Sequence, residues 1–189
     1  MRRTCRRLRW LALLGLAAAL SAPASEIDTA LSRIGFTLKT RWGQSLEGRF
    51  PDWQGEIVEV SEQRRQVRLR LPTREVEILD HPRYSKITRG NGFFDADHHP
   101  WVEFVSDPYT GDLLQEGGLL GGALTIRGVR RREVFTLEPA TCARPTIDCD
   151  VVASGVVYRS DYAMDRWGFA LSDRVVFNLR IRTRPAPAP

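Results

Sequence analysis

Asp95, Asp97, His98 and His99 place four metal-ligating side chains within five residues. Carboxylates and imidazoles bind zinc or a similar cation when such donors converge on one point. Neighbouring side chains on an extended chain diverge, so at most one of the two adjacent histidines joins the carboxylates. The chain holds only three His, too few for a His-rich site. A solvated loop is expected here and no metal is assigned. Nucleophilic chemistry fares no better. No Gly-x-Ser-x-Gly elbow exposes a serine, and Ser154 and Ser172 stand isolated. No glycine loop has phosphate-cradling spacing. Glu75 and Glu77 would share one strand face, a common arrangement on wet surfaces. No catalytic residue or cofactor is assigned, and no enzyme is expected.

Two other groupings carry chemistry. Arg127, Arg130, Arg131 and Arg132 form a basic cluster. Its guanidiniums suit a phosphate, such as a lipid headgroup. The alternative is a solvated strand edge that repels unwanted pairing. Cys142 and Cys149 have six residues between them. In an oxidising compartment they are expected to join and close a short loop, a gain of about 2–3 kcal/mol. Two free buried thiols are the alternative.

An exported chain fits that expectation. Arg2, Arg3, Arg6, Arg7 and Arg9 precede an apolar run from Leu11 to Leu20, followed by Ala22-Pro23-Ala24. This is the layout of a secretory signal peptide over residues 1–24. The run is too short to span a bilayer, which takes roughly 20 residues. No later segment approaches that length, so no integral membrane segment is expected once the leader is removed. The whole chain carries 28 Lys+Arg against 23 Asp+Glu. All five leader charges are Arg, so the chain beyond residue 24 is formally neutral. Nucleic-acid binding loses its electrostatic basis. Residues 184–189 alternate Pro and Ala and are expected to be a loose tail.

Between leader and tail, alternation dominates. Ile34, Phe36 and Leu38 share one parity, as do Val67, Leu69 and Leu71, and Val175, Phe177, Leu179 and Ile181. Shorter runs of the same character cover Glu56–Val60, Val102–Val105, Leu119–Ile126, Glu133–Leu137 and Val151–Tyr158. A period of two predicts strands with one buried face. Turn formers punctuate them at Trp42-Gly43, Pro51-Asp52, Asn91-Gly92, Thr110-Gly111-Asp112 and Gly117-Gly118. About eight strands and no long amphipathic helix predict an all-β antiparallel barrel or sandwich, one domain over residues 25–183. Arg74 to Thr88 alternates poorly and predicts a short helix or a long loop, broken at Asp80-His81-Pro82.

Four motifs resemble the YceI-like family. They are Phe93-Phe94-Asp95-Ala96 with Pro100 and Phe104-Val105-Ser106, and Leu119 to Val129 as G-x-L-T-I-x-G-V. With them go Ser32, Phe36, Gly48, Phe50 and Gly55 near the start, and Tyr158 to Asp173 near the end. Two departures stand out. The segment before Phe93 lacks the charged helix-like run expected there, and Thr40-Arg41-Trp42 replaces a stretch where His is common. The resemblance implies a lipocalin-like, up-and-down antiparallel β-barrel. It implies a periplasmic carrier whose interior holds an apolar isoprenoid-type lipid, a polyisoprenoid or isoprenoid quinone.

An eight-strand barrel is either filled by side chains or holds one modest ligand. The candidate liners are Phe36, Leu38, Phe50, Trp53, Phe94, Trp101, Phe104, Leu124, Ile126, Phe177 and Leu179. Burying isoprenoid carbons gains about 0.8 kcal/mol per methylene-sized group, so apolar contact suffices for binding. Arg127 and Arg159 are candidate headgroup contacts. In Phe93-Phe94 the two rings are expected on opposite sides, one in the cavity and one beneath the loop. Two alternatives remain. One is an interaction or stress-related barrel with a filled core; the other is a metal-dependent periplasmic enzyme using the Asp95–His99 cluster. A homodimer stays open.

Overall fold

The computed structural model describes residues 24–184. The leader with its Cys5 and the Pro/Ala tail lie outside them, apart from Ala24 and Arg184. Eleven strands form a single sheet: β1 (Ala24–Glu26), β2 (Arg33–Thr40), β3 (Ser45–Arg49), β4 (Gln54–Ser61), β5 (Arg64–Pro72), β6 (Glu77–Ile78), β7 (Trp101–Ser106), β8 (Gly118–Ile126), β9 (Val129–Leu137), β10 (Val151–Tyr158) and β11 (Leu171–Ile181). Two short helices join them, α1 (Pro82–Arg89) and α2 (Gly111–Glu116). The expected class, lipocalin-like and antiparallel, is found, with eleven strands instead of eight. The three additional strands are β1, β3 and β6. β1 and β6 are too short to show a period of two, and in β3 one of the two inward positions is Gly48, which adds no apolar side chain to the pattern.

The sheet order is β1-β4-β5-β7-β8-β9-β10-β11-β2-β3-β6, every pairing antiparallel. The sheet curls until its first strand meets β11 again. Ile27 bridges Thr183, Asp28 N–H donates to the Arg182 carbonyl at 2.9 Å, and Arg184 N–H donates to Glu26 at 3.1 Å. At that seam β1, β4, β5, β7, β8, β9, β10 and β11 complete an eight-membered antiparallel ring. β3 and β4 run in the same direction, since eight antiparallel steps, an even number, separate them around the sheet. The bend at Phe50–Trp53 links them, and no ladder joins them among the described residues.

Local chemistry sets the connections. Arg127 (φ 52°) and Gly128 (φ 74°) both occupy left-handed backbone between β8 and β9. That is the two-residue turn whose twist matches a hairpin, and it calls for a glycine. In the region expected to be a helix or a loop, the chain forms a 3-10 turn at Thr73–Glu75, then β6, then α1. Pro82 opens α1 at a position where its missing N–H costs nothing. Ser85 fixes α1 to β6, its hydroxyl accepting from Ile78 N–H at 2.8 Å. Lys86 and Arg89 suit the helix C-terminus. The charged helix ahead of Phe93 is therefore present, contrary to the expected departure. The expected break at Asp80-His81-Pro82 is the turn between β6 and α1, and Pro82 starts the helix.

Alternate residues face inward and form one core, from Ile27 to Leu179, with a second cluster of Tyr109, Leu114, Leu120, Leu137 and Val151 beneath α2.

Candidate ligand-binding interior

Two apolar cavities lie along the barrel axis. The lower, about 80 Å³, is lined among others by Ile34 of β2, Leu69 and Leu71 of β5, Leu124 of β8, Phe135 and Leu137 of β9, Ala153 of β10 and Leu179 and Ile181 of β11. The upper, about 40 Å³, is lined by Phe36 and Leu38 of β2, Ile126 of β8 and Val175 of β11, with Phe93, Phe94, Arg159 and Met164 from the loops. β2, β8, β10 and β11 each contribute inward residues to one cavity and then the other. Phe177 is the one residue among those described that lines both. Its ring meets that of Phe36 at 5.8 Å, tilted by 44°, and Phe36 meets Phe50 at 5.9 Å, tilted by 53°.

Three aromatic rings lie folded against the wall over glycines. A Cβ on Gly48 would sit 2.1 Å from Phe36 Cζ, on Gly122 2.5 Å from Phe104 Cζ, and on Gly155 2.6 Å from Phe135 Cδ1. Rings seated this way leave the axis less obstructed than rings projecting from it.

Of the expected liners, Phe104, Leu124, Phe177 and Leu179 reach the lower cavity, and Phe36, Leu38, Phe94 and Ile126 the upper. Phe50 and Trp53 are buried in the core but line neither cavity; they sit at the bend between β3 and β4. Trp101 is not a liner. On β7 it shares the outer face with Glu103, and the Arg70 guanidinium lies 4.5 Å from its ring centroid. Its parity is opposite to that of Phe104, which excludes both facing inward. Phe93 and Phe94 both line the upper cavity instead of diverging. The reason is backbone: they belong to a turn, not an extended segment.

The arginines are committed locally. Arg159 is buried, and its guanidinium donates to the carbonyls of Ser172 at 2.9 Å, Leu171 at 3.5 Å and Met164. Burial holds its pKa below the ordinary guanidinium value. It clamps the loop at Met164 to the first residues of β11. Arg127 donates to the Ala163 carbonyl at 2.5 Å. Arg131 pairs with Asp161 at 3.7 Å and Arg132 with Asp107 at 2.6 Å, so the basic cluster spreads over different partners. The acid–histidine cluster spreads too. Asp97 pairs with Arg74 at 3.2 Å, and His98 Nδ1 lies 3.0 Å from Asp95 Oδ1. Among the described residues no three His, Cys, Asp or Glu converge on a metal position. Cys142 and Cys149 form a disulfide.

Sequence reasoning missed Tyr109 and Thr146 on the lower wall, and an aromatic path above the upper cavity. Phe93 stacks on Trp167 at 6.4 Å, and Trp167 meets Phe169 at 5.8 Å. Phe169 and neighbouring Trp42 are exposed. The Arg41 side chain joins their two loops by donating to the Gly168 carbonyl at 3.1 Å. No periodic signal marks these loops.

Comparison with known proteins agrees with the fold. Residues 26–183 match the YceI-like domain. Crystal structures of similar shape include BcnA of Burkholderia cenocepacia, with 20% identity, TM-score 0.63, and 82% of this chain and 98% of that one covered. A polyisoprenoid binding domain from Saccharophagus degradans, implicated in plant cell wall breakdown, has 11% identity, TM-score 0.65, and coverage of 88% and 100%. The Campylobacter jejuni YCEI protein has 19% identity, TM-score 0.54, and coverage of 74% and 85%. No curated protein matches the chain.

Proposed function

As the chain belongs to the YceI-like family, we propose that it is a periplasmic carrier that holds an apolar isoprenoid-type lipid inside its barrel without covalent chemistry. The observation that carries this reading is the pair of apolar cavities inside one barrel, with Phe177 lining both. An apolar cavity of about 150 Å³ takes a benzene-sized guest. At about 80 and 40 Å³ neither cavity alone admits a prenyl chain. A rotamer change at Phe177 joins them into a tunnel, and outward motion of the strand walls widens it. Loading proceeds from the upper end, where the Phe93–Trp167–Phe169 path leads to the surface. The Saccharophagus degradans neighbour, called a polyisoprenoid binding domain, supports the ligand class through its shared fold. The Cys142–Cys149 disulfide supports an oxidising compartment. Export through a cleavable leader and a quinone as the alternative headgroup belong to the same proposal.

The small volumes favour one second reading, an interaction barrel with a filled core. Mass spectrometry of organic extracts separates the two, using intact protein purified from its native periplasm. A recurrent isoprenoid supports the carrier. An empty extract overturns it and leaves the filled barrel.

A further inference from the structure

Tyr109 is 5% exposed, and its ring lines the lower cavity. Its hydroxyl is the one buried side-chain polar atom among the described residues that finds no hydrogen-bond partner. Around it stand Leu114, Leu120, Leu137 and Val151. Buried polar groups are almost always bonded, because leaving one unpaired lowers stability. Phenylalanine would fill nearly the same volume without that cost. Burial pushes the Tyr109 pKa to about 12, so the group remains a neutral O–H donor across the physiological range. The backbone fixes its position. Tyr109 and Arg65 exchange both main-chain hydrogen bonds at 2.9 Å. The other polar side chain on this wall, Thr146, already meets Thr183 at 3.0 Å. The wall holds no Lys, Arg or His. A charged headgroup placed there would be desolvated, with only the field of Arg65, which also acts on the Tyr109 hydroxyl, to offset the cost.

We propose that Tyr109 is a specificity-determining residue that donates a hydrogen bond to a neutral oxygen acceptor, of carbonyl type, at one terminus of the apolar ligand. This rests on the carrier reading and adds the ligand's polar chemistry and its orientation. The uncharged oxygen sits at the α2 end of the barrel, and the hydrocarbon runs toward the upper cavity.

The test uses farnesyl methyl ketone and the matching hydrocarbon without the carbonyl, each titrated into wild type and Tyr109→Phe by displacement of a fluorescent fatty probe. Wild type is expected to favour the ketone by about tenfold, the equivalent of one good hydrogen bond. Tyr109→Phe is expected to bind the hydrocarbon as wild type does and to lose the preference. Without ligand, Tyr109→Phe is expected to melt at or above the wild-type temperature, since an unpaired polar atom is gone. A ketone preference retained by the variant overturns the proposal, as does an equal loss of affinity for both ligands. A lower melting temperature without ligand also overturns it, because the hydroxyl then already has a partner. Hydrocarbon binding by wild type with no ketone preference overturns this proposal alone. Failure of wild type to bind either ligand overturns the carrier reading and this proposal together.

Discussion

The hydroxyls of Thr146 and Thr183 meet 3.0 Å apart in a buried pair that fastens the disulfide loop to the closing seam of the barrel. Thr183 N–H also donates to the Thr146 carbonyl at 2.9 Å, and Thr183 bridges Ile27 across the seam. Thr146 has a φ of 70°, a left-handed backbone that a β-branched residue adopts only under restraint. The Cys142–Cys149 disulfide and the bond from Thr146 N–H to the Cys149 carbonyl, 3.0 Å, supply that restraint.

Replacing Cys142 and Cys149 together by Ser is therefore expected to destabilise the protein by about 2–3 kcal/mol. The loss comes from chain entropy in the unfolded state and from release of Thr146. Urea unfolding of the oxidised protein and the double variant measures it. Coincident midpoints with unchanged slopes would show that the loop is held without the bridge.

Gly48 faces Phe36 across β2 and β3, with three ring atoms within 2.6 Å of where its Cβ would stand. Gly48→Ala must push the ring off its seat, toward the upper cavity that Phe36 lines. A stability loss of about 1–3 kcal/mol is expected. Gly111→Ala is the control: nothing stands within 4 Å of its Cβ position, and it opens α2. That change should be neutral or slightly stabilising. Equal effects at the two positions would refute the seating of Phe36.

Much of the barrel was legible because strands announce themselves by parity. Ile34, Phe36 and Leu38 face inward as their spacing requires, and so do Phe177 and Leu179. The same rule, applied across β7, would have put Trp101 outside. Its size suggested a liner, and a large ring can as readily cover an outer wall under Arg70. β6 escaped because two residues carry no period, β3 because its second inward position is Gly48, and α1 was legible only as a short helix or a long loop. Tyr109 escaped for a different reason. It lies outside any strand, in the connection from β7 to α2, and only the fold brings its ring to the cavity wall. Burial depth and the absence of a partner are properties of the assembled core. Sequence spacing cannot carry them.

Arg159 offers a third prediction. Its guanidinium donates to three carbonyls of the segment from Met164 to Ser172 and lies 5.7 Å from the Phe93 centroid. Arg159→Met keeps most of the length and leaves buried acceptors unpaired. Stability is expected to fall by about 1.5–3 kcal/mol. Arg159→Lys should recover only part of it, because an ammonium lacks the planar fork that reaches several carbonyls. Thermal or urea unfolding of both variants checks the order. Full recovery by Lys would mean that charge alone, not the fork, holds this segment.

The Asp95–His98 pair sets a pH window. The hydrogen bond to His98 is the main cause that lowers the Asp95 pKa below its ordinary 3.8, and the hydrogen bond to Asp95 is the main cause that raises the His98 pKa above its ordinary 6.5. For His98, with a raised folded value, the contribution is fully present below 6.5 and is lost as pH rises through that folded value. For Asp95, with a depressed folded value, it is present above 3.8 and is lost as pH falls through that folded value. The pair therefore supports the turn after Phe94 most fully between those two ordinary values. His98 is exposed, so salt should weaken the effect. NMR titration of the His98 imidazole is the direct measurement. In wild type its midpoint should stand above 6.5. Asp95→Asn should return it toward the ordinary value, and 1 M salt should narrow the gap between the two proteins. Identical midpoints in wild type and Asp95→Asn would show that the two side chains do not share a proton in solution.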